Sequence, residues 1–271
     1  MKVVLIQMFC KWGDKEYNLD RISFYCREAI SAKAELVCFP ELTVSGIYKS
    51  EKVWDLAEPL CGPTMQFLCG LARNRGLGIG FGLSEKAEGK PYNTYCVIDS
   101  GGEIVGIYRK NYIPKLEVPF WQGHTARPTF EVCKRKMGVA ICWDNKYPEL
   151  LEHYGRQGAQ VVLMPHAWDS DALDEQGKVI DYQSMEEIVA YHKKSGNYRW
   201  KTHDEMRNDF YTYIPELARN HGFYALFVNQ AGRPHPSVEF VGPSFAVSTK
   251  GEILAETHDG SEQVLMVELP S

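Results

Sequence analysis

Apolar positions along this chain recur at two spacings. Short runs of β-branched and aliphatic residues, at 3–8, 36–39, 77–83, 136–142, 161–164, 223–228 and 264–269, read as strands, the earliest two as buried ones. Helical spacing lies between them. Leu19, Ile22, Cys26, Ala29 and Ile30 fall on one helix face behind Asp14, a residue suited to capping that helix. Pro63 opens a second helix with Phe67, Leu68 and Leu71 on one face and Gly76 as its stop. Pro148 starts a third, running to Gln157 before Gly158, and 214–220 is helical. Two hairpins are signalled as well. Residues 92–98 and 103–109 flank Asp99-Ser100-Gly101-Gly102, and 245–247 and 253–255 flank Thr249-Lys250-Gly251.

Strands alternating with helices, with hairpins between, predict an α/β layered fold with mixed sheets. No Gly/Ser/Pro-rich linker and no repeat divides the 271 residues, so residues 1–271 are expected to form one domain. The segment 169–208 interrupts the rhythm. It is polar, charged and weakly periodic, and is expected to be an insertion that serves as a lid or an oligomer contact.

Composition narrows the function. With 44% hydrophobic and 24% charged residues the chain can bury a sizeable core. A net charge of -5 argues against nucleic acid or an anionic membrane as the main partner. The stretch 192–203 mixes Lys193, Lys194, Arg199 and Lys201 with Tyr198 and Trp200, a mixture that can bind single strands, but on an acidic chain it reads as a solvated face. None of the 8 cysteines forms a Cys-x-x-Cys pair, and most lie in apolar runs, where cysteine packs as a small hydrophobe. The N-terminal apolar run is too short for a signal peptide, no stretch is apolar enough to span a bilayer, and a reducing cytoplasm is the expected setting.

Three strands end in reactive groups: 36–39 delivers Glu41, 103–109 delivers Lys110, and 136–141 delivers Cys142. Ligands of open α/β sheets gather beyond the carboxyl ends of strands, so the three converge if their strands are parallel neighbours. Converged, they make coherent chemistry. Glu41 can take the thiol proton, Cys142 can attack a carbonyl carbon, and Lys110 can stabilise the oxyanion. Backbone dipoles near Pro148 favour a thiolate at Cys142. Singly, each residue has an ordinary explanation: a packed cysteine, a turn acid, a solvated lysine. Gly76, Gly78, Gly80 and Gly82 raise a nucleotide-binding alternative, but they lack the Gly-x-Gly-x-x-Gly spacing and fit a strand packed closely against its neighbours.

The motifs taken together resemble a known family. Phe39-Pro40-Glu41-Leu42 with Gly46, Tyr108-Arg109-Lys110, and Cys142-Trp143-Asp144 with Tyr147-Pro148-Glu149 resemble, in order and spacing, the three catalytic motifs of the nitrilase, or carbon–nitrogen hydrolase, superfamily. Asn229-Gln230-Ala231-Gly232, 240–244 and Lys250-Gly251 extend the likeness over nearly the whole chain. The resemblance implies a four-layer α-β-β-α sandwich, a homodimer or higher homo-oligomer, and a Glu-Lys-Cys triad falling on Glu41, Lys110 and Cys142. It implies a supporting glutamate at Glu117, an oxyanion donor in the backbone N–H of Trp143, and a pocket position at His166, for which a structural histidine is the alternative. It implies hydrolysis through a thioester, with no metal and no organic cofactor. Trp-Glu after the cysteine is typical of true nitrilases. Trp143-Asp144 stands here instead, which points to small-molecule amides or N-carbamoyl amines and away from nitriles. A non-catalytic member of the same fold, an amide-forming transferase and a partner-dependent glutaminase are the rivals; the intact triad argues against the first, and the lack of a synthetase domain against the last.

Overall fold

The computed structural model describes residues 1–47, 51–180, 187, 190, 198–235 and 238–270. Strands β1 (Lys2–Gln7), β2 (Leu36–Cys38), β3 (Gly78–Glu85), β4 (Tyr92–Ile98) and β5 (Ile104–Arg109) form the first sheet, closed by a last strand that returns beside β1. Strands β6 (Phe130–Val132), β7 (Arg135–Val139) and β8 (Val161–Pro165) belong to the second. After them come β9 (Ala172–Leu173), β10 (Arg199–Trp200), β11 (Tyr224–Val228), β12 (Ala231–His235), β13 (Val238–Val241), β14 (Phe245–Val247), β15 (Ile253–Glu256) and β16 (Gln263–Glu268). The two six-stranded sheets run β16-β1-β2-β3-β4-β5 and β15-β14-β11-β8-β7-β6. In each, three central strands are parallel and the flanking pairs antiparallel.

Alternation along the strands sets the layers. On β1, Val3 and Leu5 join the core between the sheets with Tyr95, Val97, Met137, Val139 and Leu226. Val4 and Ile6 point the other way and pack with Ile22, Cys26, Leu68 and Ala72 of helices α1 (Lys15–Ser31) and α3 (Pro63–Arg75). A short helix, α2 (Lys52–Leu56), precedes α3. On the outer face of the second sheet, Leu150 and Tyr154 of α4 (Pro148–Arg156) and Ala218 of the helix Ile214–His221 cover Val162 and Ala225. The result is the expected α-β-β-α sandwich with two mixed sheets. No helix among the described residues is long and apolar enough to cross a membrane.

Several elements differ from the sequence expectation. Asp14 does cap α1, accepting from Tyr17 N at 3.0 Å. On α3, however, the buried residues are Thr64, Met65, Leu68 and Ala72, while Phe67 is 46% exposed. The Met65-Leu68-Ala72 spacing outweighs the single large ring. Strands β2, β5 and β7, which carry the three reactive groups, are not neighbours: β2 and β5 are separated by β3 and β4, and β7 lies in the other sheet. The hairpin β12–β13 was not foreseen, because its strands hold too few apolar positions to show a period. The polar segment 169–208 holds the β9–β10 pair and the start of α5 (His203–Tyr211), followed by α6 (Ile214–His221). Helix α5 begins with a Thr202/Glu205 capping box and buries only Met206 and Phe210, too sparse a pattern to read as a helix. Much of the expected lid, namely 181–186, 188–189 and 191–197, lies outside the described residues. Of the basic stretch, Arg199 is paired with Glu205 and Lys201 with Asp171 and Asp209, as suits a solvated face.

Candidate active site

Glu41 follows β2 by way of Phe39-Pro40. Its backbone is held from two sides. Gln230 Nε2 donates to Glu41 O at 2.8 Å. Gly82 of β3 lies so close that a Cβ there would collide with Leu42 N, and Leu42 itself adopts φ 49, a left-handed conformation rare for a large apolar residue. The glycine run of β3 therefore serves close backbone approach. The Glu41 side chain is fully buried. Its Oε1 accepts from Lys110 Nζ at 2.7 Å and Asn93 Nδ2 at 2.6 Å, and its Oε2 accepts from Ala167 N at 2.7 Å.

Lys110 follows β5, and its neighbour Arg109 anchors that strand end through Glu85, at 2.7 and 2.6 Å. Glu85 also accepts from Thr94 at 2.7 Å, so β3, β4 and β5 are tied together just before Lys110. The lysine is fully buried and reaches Glu117 Oε2 at 3.2 Å as well as Glu41. Burial alone would push its pKa down. The charges of Glu117 and Glu41 outweigh burial and hold it well above the usual lysine range. A buried ammonium between two carboxylates is fixed in its charge.

Cys142 opens a 3-10 turn, Cys142–Lys146, two residues beyond Ala140, which follows β7. Its φ of 48 is again left-handed, so the nucleophile sits at a strained corner. Asp144 pins that corner. Its Oδ2 accepts from Ile141 N at 3.0 Å and Tyr108 Oη at 2.8 Å, and its Oδ1 accepts from Tyr112 N at 2.9 Å. One buried carboxylate thus ties the turn of the second sheet to residues on both sides of Lys110 in the first. Asn145 Nδ2 closes the turn on Cys142 O at 3.1 Å and contacts His166 Nε2 at 3.2 Å.

The thiol is pushed well above its ordinary pKa, first by burial and then by Glu41; Lys110 and the Ala167 N–H oppose this and lose. It therefore rests as a neutral thiol. This corrects the expectation of a dipole-stabilised thiolate: a five-residue 3-10 turn does not offset burial beside an excess of negative charge. The Ala167 N–H donates to Glu41 Oε2, and the charges of Glu41, Lys110 and Glu117 all act on the Cys142 thiol.

The structure thus brings Glu41, Lys110, Glu117 and Cys142 into one dry cluster. Trp143 lies half-buried behind the nucleophile, its ring 5.7 Å from that of Trp168. His166 is fully buried and stacks on Phe227 at 3.8 Å. Its Nδ1 meets Met164 O at 2.8 Å and its Nε2 meets Asn145, which leaves neither nitrogen for a substrate. Burial pushes its pKa down to about 3, so the ring is neutral. Asn93 and the Ala167 N–H are functional contacts that sequence reasoning missed. A backbone donor has no sequence signature, and Asn93 sits in a strand without a motif around it. Asn229 and Gln230 carried a motif without a role; here Gln230 holds Glu41, and Asn229 Oδ1 accepts from Trp168 N at 3.0 Å. Among the described residues no three His, Cys, Asp or Glu side chains are placed to hold a metal ion.

With this geometry in place, likeness to known proteins becomes informative. A family model described as carbon-nitrogen hydrolase matches residues 2–271. An N-carbamoylputrescine amidase of Arabidopsis thaliana is 30% identical over 97% of this chain and 84% of its own length. An (R)-stereoselective amidase of Pseudomonas sp is 27% identical over 94% of this chain and 80% of its own length. The amidase from Nesterenkonia sp. AN1 in complex with butyramide shares the fold, with a TM-score of 0.79 at 22% identity, covering 100% of this chain and 91% of that one. In another structure of that amidase the acetamide moiety of fluoroacetamide is added covalently to its active-site cysteine. Because the family model spans the chain, the chain belongs to the carbon–nitrogen hydrolases, enzymes that cleave non-peptide carbon–nitrogen bonds with a cysteine nucleophile.

Proposed function

We propose that Cys142, Glu41 and Lys110 are the catalytic residues of an amidase that acts on small amides or N-carbamoyl amines. The observation that carries this is the shared burial of one thiol, one carboxylate and one ammonium, the carboxylate and ammonium paired with each other and both acting on the thiol's charge. Because the thiol rests protonated, the proton moves to Glu41 as sulfur attacks the substrate carbonyl carbon. Lys110 and the Trp143 backbone N–H face the oxygen that gains negative charge. The tetrahedral intermediate collapses, the C–N bond breaks, and Glu41 returns the proton to the leaving nitrogen. Water, deprotonated by Glu41, then attacks the thioester; the acid leaves, and Glu41 returns the proton to the Cys142 sulfur. Glu117 supports Lys110 throughout by holding its ammonium.

The carbamoyl and amide activities of the Arabidopsis and Pseudomonas relatives support this substrate class. The proposal extends to one domain over residues 1–271, a homodimer or higher homo-oligomer, and a cytoplasmic setting. It also makes 169–208 an insertion that serves as a lid or an oligomer contact; Asp171 and Met206 within it line a cavity beside Trp168. Ammonia release over a panel of amides, carbamoyl amines and nitriles, with Cys142→Ala as control, tests the reading. Turnover of amides or carbamoyl amines that the variant lacks supports it. Equal background release by both proteins would end it.

A further inference from the structure

On β4 the residues that alternate toward the core between the sheets are Asn93, Tyr95 and Val97, and the last two belong to its apolar packing. Asn93 is the polar member of that row, and it is 1% exposed. It holds two parts of the site at once. Its backbone O accepts from Lys110 N at 2.9 Å, and its side-chain Nδ2 donates to Glu41 Oε1 at 2.6 Å. One residue thus fixes both the backbone that carries the ammonium and the carboxylate with which that ammonium pairs.

The Asn93 amide is used on one side only. Its Oδ1 is buried and has no hydrogen-bond partner among the described residues. The buried Asn18 and Asn229 differ. Asn18 Nδ2 donates to Lys11 O and Val44 O while its Oδ1 accepts from Lys11 N. Asn229 holds Trp168 through both ends of its amide. Those two amides tie chain segments together. A buried amide with one end idle costs stability that an apolar side chain of the same shape would not. Leucine would suit the row of Tyr95 and Val97 better, so what sets Asn93 apart is its single side-chain bond, to Glu41.

The two oxygens of Glu41 are unequally occupied. Oε1 accepts from both Lys110 and Asn93, which fills its two in-plane lone pairs. Among the described residues Oε2 accepts from Ala167 N alone, and it keeps one lone pair free. We infer that Asn93 is a positioning residue of the hydrolase: with Lys110 it locks Oε1, so that Glu41 takes and returns the proton through Oε2, and its hydrogen bond keeps the carboxylate ionised between turnovers. The inference rests on the catalytic reading of Glu41 and deepens it. Asn93 acts through Glu41, and no proton passes through the amide.

The test uses Asn93→Leu and Asn93→Ala, each on the best substrate of the amide and carbamoyl amine panel. Both variants lose the donor and differ in how they fill the space. The titratable groups about Glu41, namely Lys110, Glu117 and Cys142, stay in place in both. We expect kcat to fall by about 10–100-fold in each, with KM changed by less than about threefold, because the hydrogen bond acts on the base and not on substrate binding. The acid limb of kcat/KM should move up by about one to two pH units in both, since a carboxylate that loses a hydrogen bond holds its proton more tightly. The urea midpoint of Asn93→Leu should equal or exceed that of the unaltered protein. Alkylation of Cys142 by iodoacetamide, followed by the mass of its peptide, reads the same base without turnover and should show the same shift with pH. An acid limb left in place in both variants, or a loss carried by KM, overturns the inference. So does an Asn93→Leu protein destabilised in step with its loss of activity, which marks a packing role. If Asn93→Leu does not fold, the limb of Asn93→Ala decides. No turnover of any compound by the unaltered protein refutes the hydrolase reading, whereas turnover with an unmoved limb refutes this inference alone.

Discussion

The two halves of the active site meet the same problem, polar groups in a dry interior, in different ways. On the side of the first sheet, the Lys110 ammonium is ion-paired with both Glu41 and Glu117. On the side of the second, burial works against charge on the groups around the nucleophile. Cys142 holds its proton, His166 is pushed down to about 3, and Asp144 is pushed up to about 7, in each case first by burial. Paired charges resist change, because altering one strands the other. Neutral groups surrounded by dipoles can change state when a neighbour does. A hydrolase needs both: a fixed field for the oxyanion, and a thiol that gives up its proton only when the substrate arrives.

The largest effects should come from breaking each half at its centre. Cys142→Ala removes the atom that forms the covalent bond, and turnover should fall by on the order of a million-fold, as for other covalent nucleophiles. Its urea midpoint should stay close to the original, since only one sulfur leaves a packed site. Lys110→Met does the opposite kind of damage. It leaves two buried carboxylates facing each other without a cation, and should cost about 3–5 kcal/mol of stability along with activity. Equal melting behaviour of the two variants would show that the lysine side is not held by pairing, and the contrast would fail.

Asp144→Asn tests the link between the halves. The substitution keeps the shape but replaces an oxygen that accepts from backbone N–H or tyrosine O–H by an amide that donates. We expect a stability loss of about 1–3 kcal/mol. The drop in kcat should be larger than in binding, about 10–100-fold, since the corner bearing Cys142 would shift against Lys110. Slower alkylation of the thiol by iodoacetamide, matched to the loss in kcat, would show that the carboxylate acts through the position of Cys142. Normal alkylation with poor substrate affinity would argue against it.

How much of this was readable beforehand depended on what kind of group carries the information. Glu41, Lys110 and Cys142 each follow a strong apolar run, so the side chains could be read as strand-end groups and recognised by their motifs. What brings them together could not, because β2, β5 and β7 are separated in one case by two strands and in the other by a whole sheet. Asp144 was visible only as the mark of a branch; its bonds to Tyr108 and Tyr112 depend on tertiary approach. The glycines of β3 were legible as a close-packed strand, but what they approach, the backbone at Glu41, was not. Helix α5 was hidden because two buried residues in nine carry no period, and Phe67 misled because one large ring can face solvent when smaller neighbours fill the core.

The smallest expected effect separates the two neutral groups from each other by sign. His166 is held well below its ordinary value of 6.5, at about 3. Between those values the unfolded chain binds the proton and the folded protein does not, so this group's contribution is complete above pH 6.5 and is lost as pH falls toward 3. Asp144 is raised from 3.8 to about 7. There the folded protein keeps a proton that the unfolded chain has released, so its contribution is complete below pH 3.8 and is lost as pH rises through 7. Over the shared window the two slopes oppose, each limited to about 1.4 kcal/mol per pH unit. Removing one should expose the other. Relative to the unaltered protein, stability of Asp144→Asn should climb more steeply between about pH 4.5 and 6.5, where both groups differ in protonation between folded and unfolded chain, and that of His166→Gln should climb less or fall. Urea midpoints at several pH values measure both slopes. If the two variants follow the original slope, the side around the nucleophile is not kept neutral by burial, and the division between paired and protonated halves is wrong.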